Sequence, residues 1–134
     1  MALKLAIVTP EEQVVDQEVD EVVAPGANGE IGLLPGHVPI ITALKPGVLT
    51  LIKNAKRTHF AVSTGYAEVE GETITVLTDS CEEAGTIDVQ RAKRALGEAL
   101  EKLKALSPDE PTYVEQKRRS DRAQARIDAA ERRG

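Results

Sequence analysis

The fold is decided at residues 73–103, TITVLTDSCEEAGTIDVQRAKRALGEALEKL, where the spacing of the apolar residues changes. At the start of this stretch apolar and polar residues alternate, which is the two-residue period of a β-strand. After Gly85 the apolar residues recur every three or four positions, which indicates an amphipathic helix. The sequence therefore predicts two domains: a β domain at residues 1–85 and a helical domain at residues 86–134.

The first domain contains seven short segments that are rich in β-branched residues, most of them with alternating polarity. Turn dipeptides such as Pro-Gly at positions 25–26, 35–36 and 46–47 punctuate the chain. The predicted strands are residues 3–8, 13–18, 19–24, 48–53, 58–63, 66–70 and 73–77. Closely spaced short strands with no helical pattern between them predict an all-β sandwich or flattened barrel of about 80 residues.

The second domain is predicted to be an antiparallel α-helical hairpin. Its first helix has Thr86 as a possible N-cap and Asp88 in the first turn, where a carboxylate complements the helix dipole. Pro108 disfavours helix at the residue before it and so ends this helix. The apolar stripe consists of Ala92, Ala95, Leu96, Ala99, Leu100, Leu103 and Leu106.

The second helix is predicted to begin at a T-x-x-E capping box, Thr112 to Glu115. Ile127 is the only large aliphatic residue on its inner stripe, and burying one such side chain stabilises by about 1.5–3 kcal/mol. This helix is therefore a candidate for detachment, and a permanently docked, alanine-rich hairpin is the alternative. The inner stripe consists of Tyr113, Gln116, Ser120, Ala123, Ile127 and Ala130.

Composition limits the classes of function. The net charge of −5 divides into −8 over residues 1–85 and +3 over residues 86–134, which suggests two units with different partners, or two unrelated solvated surfaces. Three aromatic residues are too few for a module that stacks nucleic-acid bases. One cysteine excludes an internal disulfide, and no apolar run approaches the roughly 20 residues of a membrane span. Without a signal-peptide pattern, we expect a cytoplasmic protein that reaches a membrane only through partners.

The residues offer little catalytic chemistry. His37 and His59 lack neighbouring ligands at metal spacing and are interpreted as structural. The glycine-rich residues 26–32 lack the Gly-Lys-Ser/Thr ending of a phosphate loop, and Glu30 would repel phosphate, so a tight surface loop is predicted. No nucleophile, metal cluster or acid/base pair supports a small hydrolase.

One cluster of charged residues remains, on the two helices. Asp88 and Arg91 are i, i+3 neighbours on the first helix, and Arg122 and Arg126 are i, i+4 neighbours on the second. Such arginines, preceded by Lys117, Arg118 and Arg119, can clamp a polyphosphate or dock on an acidic protein surface. A solvated basic face is the third reading.

The chain resembles a known family over nearly its whole length. Residues 31–39, IGLLPGHVP, continuing to TALKPG at 42–47, closely resemble the signature stretch of ATP synthase epsilon subunits. The same holds for LKLAIVTPE at 3–11, STGYAEV at 63–69 and VLTD at 76–79.

This resemblance implies a non-catalytic rotor subunit of the central stalk, peripheral at the cytoplasmic face of the bacterial inner membrane. It implies that the sandwich binds the gamma subunit and the membrane-embedded c-ring. The hairpin can fold down against the sandwich or extend into the catalytic head of alpha and beta subunits, where it inhibits ATP hydrolysis. The residues that match the ring-facing stretch are Glu30, Ile31, Gly32, Leu33, Leu34 and His37. Those of the basic face that would dock on the head are Arg118, Arg119, Arg122 and Arg126.

The resemblance also implies a nucleotide-sensing motif, with no other cofactor. The residues that match it are Glu82, Ile87, Asp88, Arg91, Ala92, Arg122 and Arg126. Glu98 stands where ATP-binding members carry a basic residue, so regulatory ATP is expected to bind weakly or not at all. A free-standing nucleotide-sensing domain that uses the hairpin arginines is the alternative function.

Overall fold

A computed structural model of the chain describes residues 3–132, with the side chain of His37 excepted. It contains a β domain followed by two helices, which confirms the predicted fold class. The strands are β1 Leu3–Val8, β2 Gln13–Val19, β3 Glu21–Gly26, β4 Gly29–Gly32, β5 Gly36–Leu44, β6 Gly47–Lys53, β7 Lys56–Val62, β8 Gly65–Gly71, β9 Thr73–Thr78 and β10 Cys81–Glu83. A 3-10 turn, Ala84–Thr86, leads to α1, Val89–Lys104, and α2, Pro111–Glu131.

The strands form one continuous sheet that folds over into a sandwich. Their order is β10-β7-β6-β3-β5-β8-β9-β1-β2, with β4 paired to β3 at the side. The two halves meet at β3 and β5, which pair only between Gly26 and Leu44. All the ladders are antiparallel except that of β1 with β9.

Large aliphatic side chains fill the space between the two layers. Leu5 and Ile7 of β1, Leu49 of β6 and Ile74 of β9 are completely buried. Each such side chain contributes about 1.5–3 kcal/mol by leaving water. These side chains belong to one buried cluster that spans both layers of the sandwich.

Strand β6 is covered on both faces, which explains why its burial does not alternate. Leu49 and Leu51 point into the sandwich, whereas Val48 and Thr50 are buried on the opposite face. Helix α2 packs across β6 and β7 on that opposite face. A strand buried on both sides needs apolar or small residues throughout, and β6 has them.

Three strands were not predicted from the sequence. β4 lies in the stretch interpreted as a tight glycine loop, but residues 26–32 form the end of a hairpin in which Gly26 pairs with Gly29. Only Gly29 of its three glycines has a positive φ, 129°. β5 begins inside the Pro-Gly block and has an irregular register between Gly36 and Ile40, and β10 has only three residues.

The helix starts differ from those predicted. Asp88, not Thr86, caps α1, and its Oδ1 accepts a hydrogen bond from the Arg91 amide at 3.1 Å. The predicted capping box at Thr112 is wrong, because the N-cap of α2 is Glu110, two residues earlier, and it makes no side-chain bond; the helix begins at Pro111. Proline suits this first position because its φ is already helical.

The inner stripe of α2 is confirmed at Ser120, Ala123, Ile127 and Ala130, which are buried. On α1 the stripe is confirmed at Ala92 and Ala99 but not at Leu100, which is 47% exposed.

Candidate functional site

The candidate site is the junction where α2 lies on the sandwich. Ala125 and Ala129 of α2 form a buried cluster with Val48 of β6 and Ala61 of β7. Ile87, just after the 3-10 turn, closes the same cluster. Because the alanines sit at i and i+4 and have short side chains, the helix backbone can lie close to the strands. This alanine face shares Ala130 with the predicted inner stripe, whereas Ala125 and Ala129 were not predicted to be buried.

One ion pair links the helix to the edge strand. Nε of Arg126 lies 3.0 Å from Oε1 of Glu82, and Nη2 of Arg126 donates to Oε2 at 3.2 Å. The Nε–H is not aligned with the carboxylate, so the second contact is the only true hydrogen bond of the two. The side chains are 20% and 38% exposed, so water screens the pair only in part.

The residues that match the nucleotide motif take several different positions. Glu82 and Arg126 are paired with each other, and Ile87 and Ala92 are buried. Asp88 is occupied as the N-cap of α1. Within residues 3–132, the exposed side chains of Arg91 and Arg122 have no hydrogen-bonded or ionic partner. The structure thus brings together Glu82, Ile87 and Arg126 at the junction and leaves those two guanidinium groups in solvent.

The basic face of α2 is partly neutralised inside the hairpin. Nη2 of Arg119 donates to Oε2 of Glu98 on α1 at 2.7 Å. Arg118 and Arg122 are exposed, while Lys117 pairs with Asp121 one turn later, at 3.1 Å. Glu98, which departs from the family pattern, therefore joins the two helices.

The residues that match the ring-facing stretch lie on β4 and in the loop after it. Leu33 is buried in the sandwich core and Ile31 packs partly against it, whereas Leu34 is 71% exposed. Glu30 is paired with Arg132, at the end of α2, with 3.2 Å between Nη1 and Oε2. Gly32 is exposed. The predicted contact at His37 lies outside the described side chains.

A further surface was missed from the sequence. Ile41, Tyr66 and Leu77 of β5, β8 and β9 are 69%, 59% and 53% exposed. The register places Tyr66 opposite Leu77, so these side chains share the outer face of that layer. Large apolar groups exposed next to one another are a feature of interaction sites, so this face is a candidate contact surface. The sequence did indicate this face, because Tyr66 of β8 and Leu77 of β9 are apolar residues at positions of the alternating pattern that are otherwise polar.

Gly65 shapes the end of this apolar face. A Cβ placed on it would lie 2.0 Å from the carbonyl oxygen of Leu77 on the neighbouring strand. A glycine is therefore required where β8 and β9 close together.

The titratable groups support no catalytic centre. Burial and the neighbouring Glu82 carboxylate raise the pKa of Cys81 to about 12, so the thiol is not a nucleophile at neutral pH. The described side chains include no group of three or more His, Cys, Asp or Glu that could hold a metal ion. Neither helix within residues 3–132 is long and apolar enough to cross a membrane.

Comparison with known proteins places the sequence among ATP synthase subunits. Residues 2–84 match the family model of the β-sandwich domain of the ATP synthase delta/epsilon chain. The chain is 46% identical to the ATP synthase epsilon chain of Geotalea uraniireducens over 128 residues, which is 96% of this chain and 93% of that one. The epsilon chain of Anaeromyxobacter sp. Fw109-5 is 43% identical over 98% of this chain and 100% of its own length.

The solved structures add a likeness of fold. A chain in the cryo-EM structure of the Euglena gracilis mitochondrial ATP synthase, solved as OSCP, F1 and c-ring, superposes with a TM-score of 0.79 at 24% identity. The match covers 92% of this chain and 78% of that one.

Proposed function

Since this chain belongs to the family of F-type ATP synthase epsilon subunits, we propose that it works as a rotor subunit in the central stalk of that complex. It is a regulatory and structural subunit of the complex, not a catalytic one. It couples rotation of the c-ring to the catalytic head during proton-driven ATP synthesis and restrains ATP hydrolysis. In a bacterium it is peripheral at the cytoplasmic face of the plasma membrane and is held there by the complex.

The sandwich supplies the contacts with the stalk and the ring. The exposed apolar face of Ile41, Tyr66 and Leu77 is suited to the gamma subunit, because burying it would remove large apolar groups from water. Leu34, which is exposed beside β4, is the side chain of the ring-facing stretch best placed to contact the c-ring. Leu33 supports the loop from inside.

The observation that carries the inhibitory role is the weak contact between α2 and the sandwich. The helix docks through alanine methyl groups and two partly exposed ion pairs, made by Arg126 and Arg132, so it can leave the sandwich at low cost. Leaving would free Arg126 from Glu82 and add it to the exposed Arg118 and Arg122, on a face suited to an acidic surface of the alpha and beta subunits. Arg119 is the remaining member of that face and stays paired with Glu98 unless the hairpin opens.

Truncation tests this division into residues 1–85 and residues 86–134. ATP hydrolysis by a reconstituted head of alpha, beta and gamma subunits is measured with the full chain and with residues 1–85. The full chain is expected to inhibit and the truncated chain to relieve inhibition, while both bind gamma equally in a pull-down. Equal inhibition by the two forms, with equal binding, would contradict the role of the hairpin.

The ring contact is tested with two exposed leucines. Leu34→Ser is expected to lower ATP-driven proton pumping in inverted membrane vesicles while hydrolysis continues. Leu100→Ser, at an exposed leucine on α1, serves as the control and should leave coupling unchanged. Full coupling in the Leu34 variant would remove this residue from the ring interface.

Regulatory ATP is proposed to bind weakly. Arg126 is already paired with Glu82, and Glu98 presents a carboxylate in place of a donor, so ATP would have to compete with two ion pairs. Calorimetric titration of ATP without Mg²⁺ is compared for the unmodified chain, Glu98→Arg and Glu98→Gln. A gain of about tenfold is expected only for arginine, because a charge-assisted contact contributes about 1.5–3 kcal/mol. Tight binding by the unmodified chain, or an equal gain with glutamine, would contradict this role of Glu98.

A free-standing nucleotide sensor is the second candidate, favoured by the exposed and unpaired guanidinium groups of Arg91 and Arg122. It predicts a soluble monomer that binds ATP and does not co-purify with gamma. Arg122→Ala should then abolish ATP binding, while Arg118→Ala, at an exposed arginine of the same helix, should not. Recovery of the chain with the gamma, alpha and beta subunits decides for the rotor subunit.

A further inference from the structure

A cationic cavity lies where the end of α2 meets β7. Its volume is about 350 Å³, within the usual range for small-molecule sites. The residues that matter for its chemistry are Lys56, Arg57 and His59 of β7, Glu83 of β10, and Ala130 and Arg132 at the end of α2. Ile87, which matches the nucleotide motif, also lines the cavity, but none of the charged or titratable lining residues belongs to that motif or to the ring-facing stretch.

The sheet register explains why Arg57 and His59 gather there. Arg57, His59 and Ala61 alternate along β7 and so lie on one face of the strand. The Ala61 end of that face is covered by α2, which ends at Glu131. Arg57 and His59 therefore lie beyond the covered part, where the cavity is open.

The cavity concentrates positive charge on a protein that is acidic overall. Residues 1–85 contain only five Lys and Arg, and two of these, Lys56 and Arg57, line this one cavity. With Arg132 the lining has three permanent cations against the carboxylate of Glu83. Lys56 and Glu83 also line a neighbouring cavity, and Arg132 contacts Glu30 with one of its nitrogens.

His59 is held in place within this group. Its Nδ1 is 2.7 Å from the hydroxyl oxygen of Thr50, which is buried, so the ring is oriented from beneath. Burial first, and then the charges of Arg132 and Arg57, lower the pKa of His59. A bound anion would offset those charges and favour the protonated ring.

We propose that this cavity is a binding site for a small phosphate-type oxyanion. Guanidinium groups match the oxygens of phosphate in a two-pronged geometry, and a lysine and an imidazolium add point charges. Because the walls come from β7 and from the end of α2, the anion contacts both domains and favours the docked hairpin. Oxyanion binding goes beyond the proposed stalk function. Because its test uses the isolated full chain, oxyanion binding and the stalk function can each fail without the other.

The test is a titration followed by NMR at constant ionic strength. Sulfate is the first probe, because its charge does not change between pH 5.5 and 7.5, and sodium chloride is the ionic-strength control. Saturable shifts are expected at Arg57, His59 and the end of α2. Arg57→Gln should weaken binding about tenfold or more, as expected for loss of a charge-assisted contact. Lys4→Gln, at an exposed lysine of β1, should leave the affinity unchanged within about twofold for lack of any contact.

The pH dependence gives a second and independent readout. Sulfate should bind more tightly at pH 5.5 than at pH 7.5, because His59 gains a proton beside the anion, among Lys56, Arg57, Arg132 and Glu83. In His59→Gln this difference should disappear. Chemical shifts that grow linearly with sulfate and do not saturate would contradict a binding site in this cavity. An equal loss of affinity in the Lys4 and Arg57 variants would contradict it as well.

The source of the oxyanion is assigned by competition. Inorganic phosphate that displaces sulfate while ATP does not would identify free phosphate as the ligand. Displacement by ATP, with a loss in Arg57→Gln, would identify the phosphate chain of a nucleotide. Failure of both to displace sulfate would overturn the assignment to a phosphate-type ligand.

Discussion

The sandwich core and the hairpin junction both contain completely buried residues, but the two regions do not contribute equally to stability. Leu49 in the core and Ala129 in the junction are both completely buried. A buried methylene contributes about 0.8 kcal/mol, so leucine side chains contribute several times what alanine methyls do. The stabilisation from a contact therefore depends on the apolar area that is removed from water, and not on the fraction of the side chain that is buried.

The polar contacts widen this difference. The sandwich is closed by continuous backbone ladders, while the junction relies on two partly exposed ion pairs, Glu82 with Arg126 and Glu30 with Arg132. Pairs of this kind contribute up to about 1 kcal/mol. Within the hairpin, the buried Oε1 of Gln116 has no hydrogen-bond partner among the described residues, which costs further free energy. The two helices should therefore open before the sandwich does.

The largest effect is expected from a cavity in the sandwich. Leu49→Ala should lower the free energy of unfolding by about 2–5 kcal/mol, because it removes a completely buried leucine from between two layers. Urea unfolding followed by circular dichroism measures this. Leu100→Ala, at an exposed leucine, should cost far less. A similar loss in both would mean that the core does not dominate stability.

An intermediate effect is expected at the junction. Ala129→Leu overfills the space against β6 and β7 and should weaken docking by about 1–3 kcal/mol. Hydrogen exchange of the α2 amides should then rise about tenfold or more, while exchange in β1 and β9 stays unchanged. Ala105→Leu, at an exposed alanine, is the matched control. Faster exchange throughout the sandwich would show that the two regions unfold together.

A smaller effect is expected from the ion pair. Arg126→Gln should speed exchange of the α2 amides by up to about fivefold at low salt, which corresponds to about 1 kcal/mol. The effect should shrink as salt is added, because the pair is partly exposed. Arg118→Gln removes an exposed arginine of the same helix and serves as the control. A double-mutant cycle with Glu82→Gln should give no additional loss, and full additivity would contradict the pair.

The smallest effect is expected from pH. The pKa of His59 is lowered in the folded chain, so the unfolded chain binds the proton more readily. Stability should therefore fall as the pH drops below about 6.5, the ordinary histidine value, toward the lower folded value. Urea unfolding of the chain and of His59→Gln at pH 7.5 and pH 5.5 isolates this contribution from that of the carboxylates. The same pH dependence in both would contradict the lowered pKa.

Prediction from sequence worked best where a local pattern repeats. The strands at residues 3–8 and 73–77 and the inner stripe of α2 were predicted because side-chain period follows backbone geometry directly. β4 and β10 were missed because four-residue and three-residue strands are too short to show a period. β5 was missed because its Pro-Gly block indicates a turn, and only pairing with β8 makes it a strand.

For the candidate site, the sequence predicted the residue types but not their partners. It suggested that Arg122 and Arg126 act together, yet Arg126 pairs with Glu82 while Arg122 faces solvent. It interpreted Glu98 only as a missing cation, whereas this residue binds Arg119 across the hairpin. Pairs separated by 21 and 44 positions leave no trace in local spacing.

The sequence by itself determined the family and the order of a β domain and a helical hairpin, because each follows from residues that are near one another in the chain. Only the tertiary structure decided which face of α2 lies on the sheet, that alanines rather than large side chains of α2 form the junction, and that five cationic or titratable side chains line one cavity. These features depend on which surfaces pack together. Packing is a property of distances in space, which the one-dimensional spacing of residues does not encode.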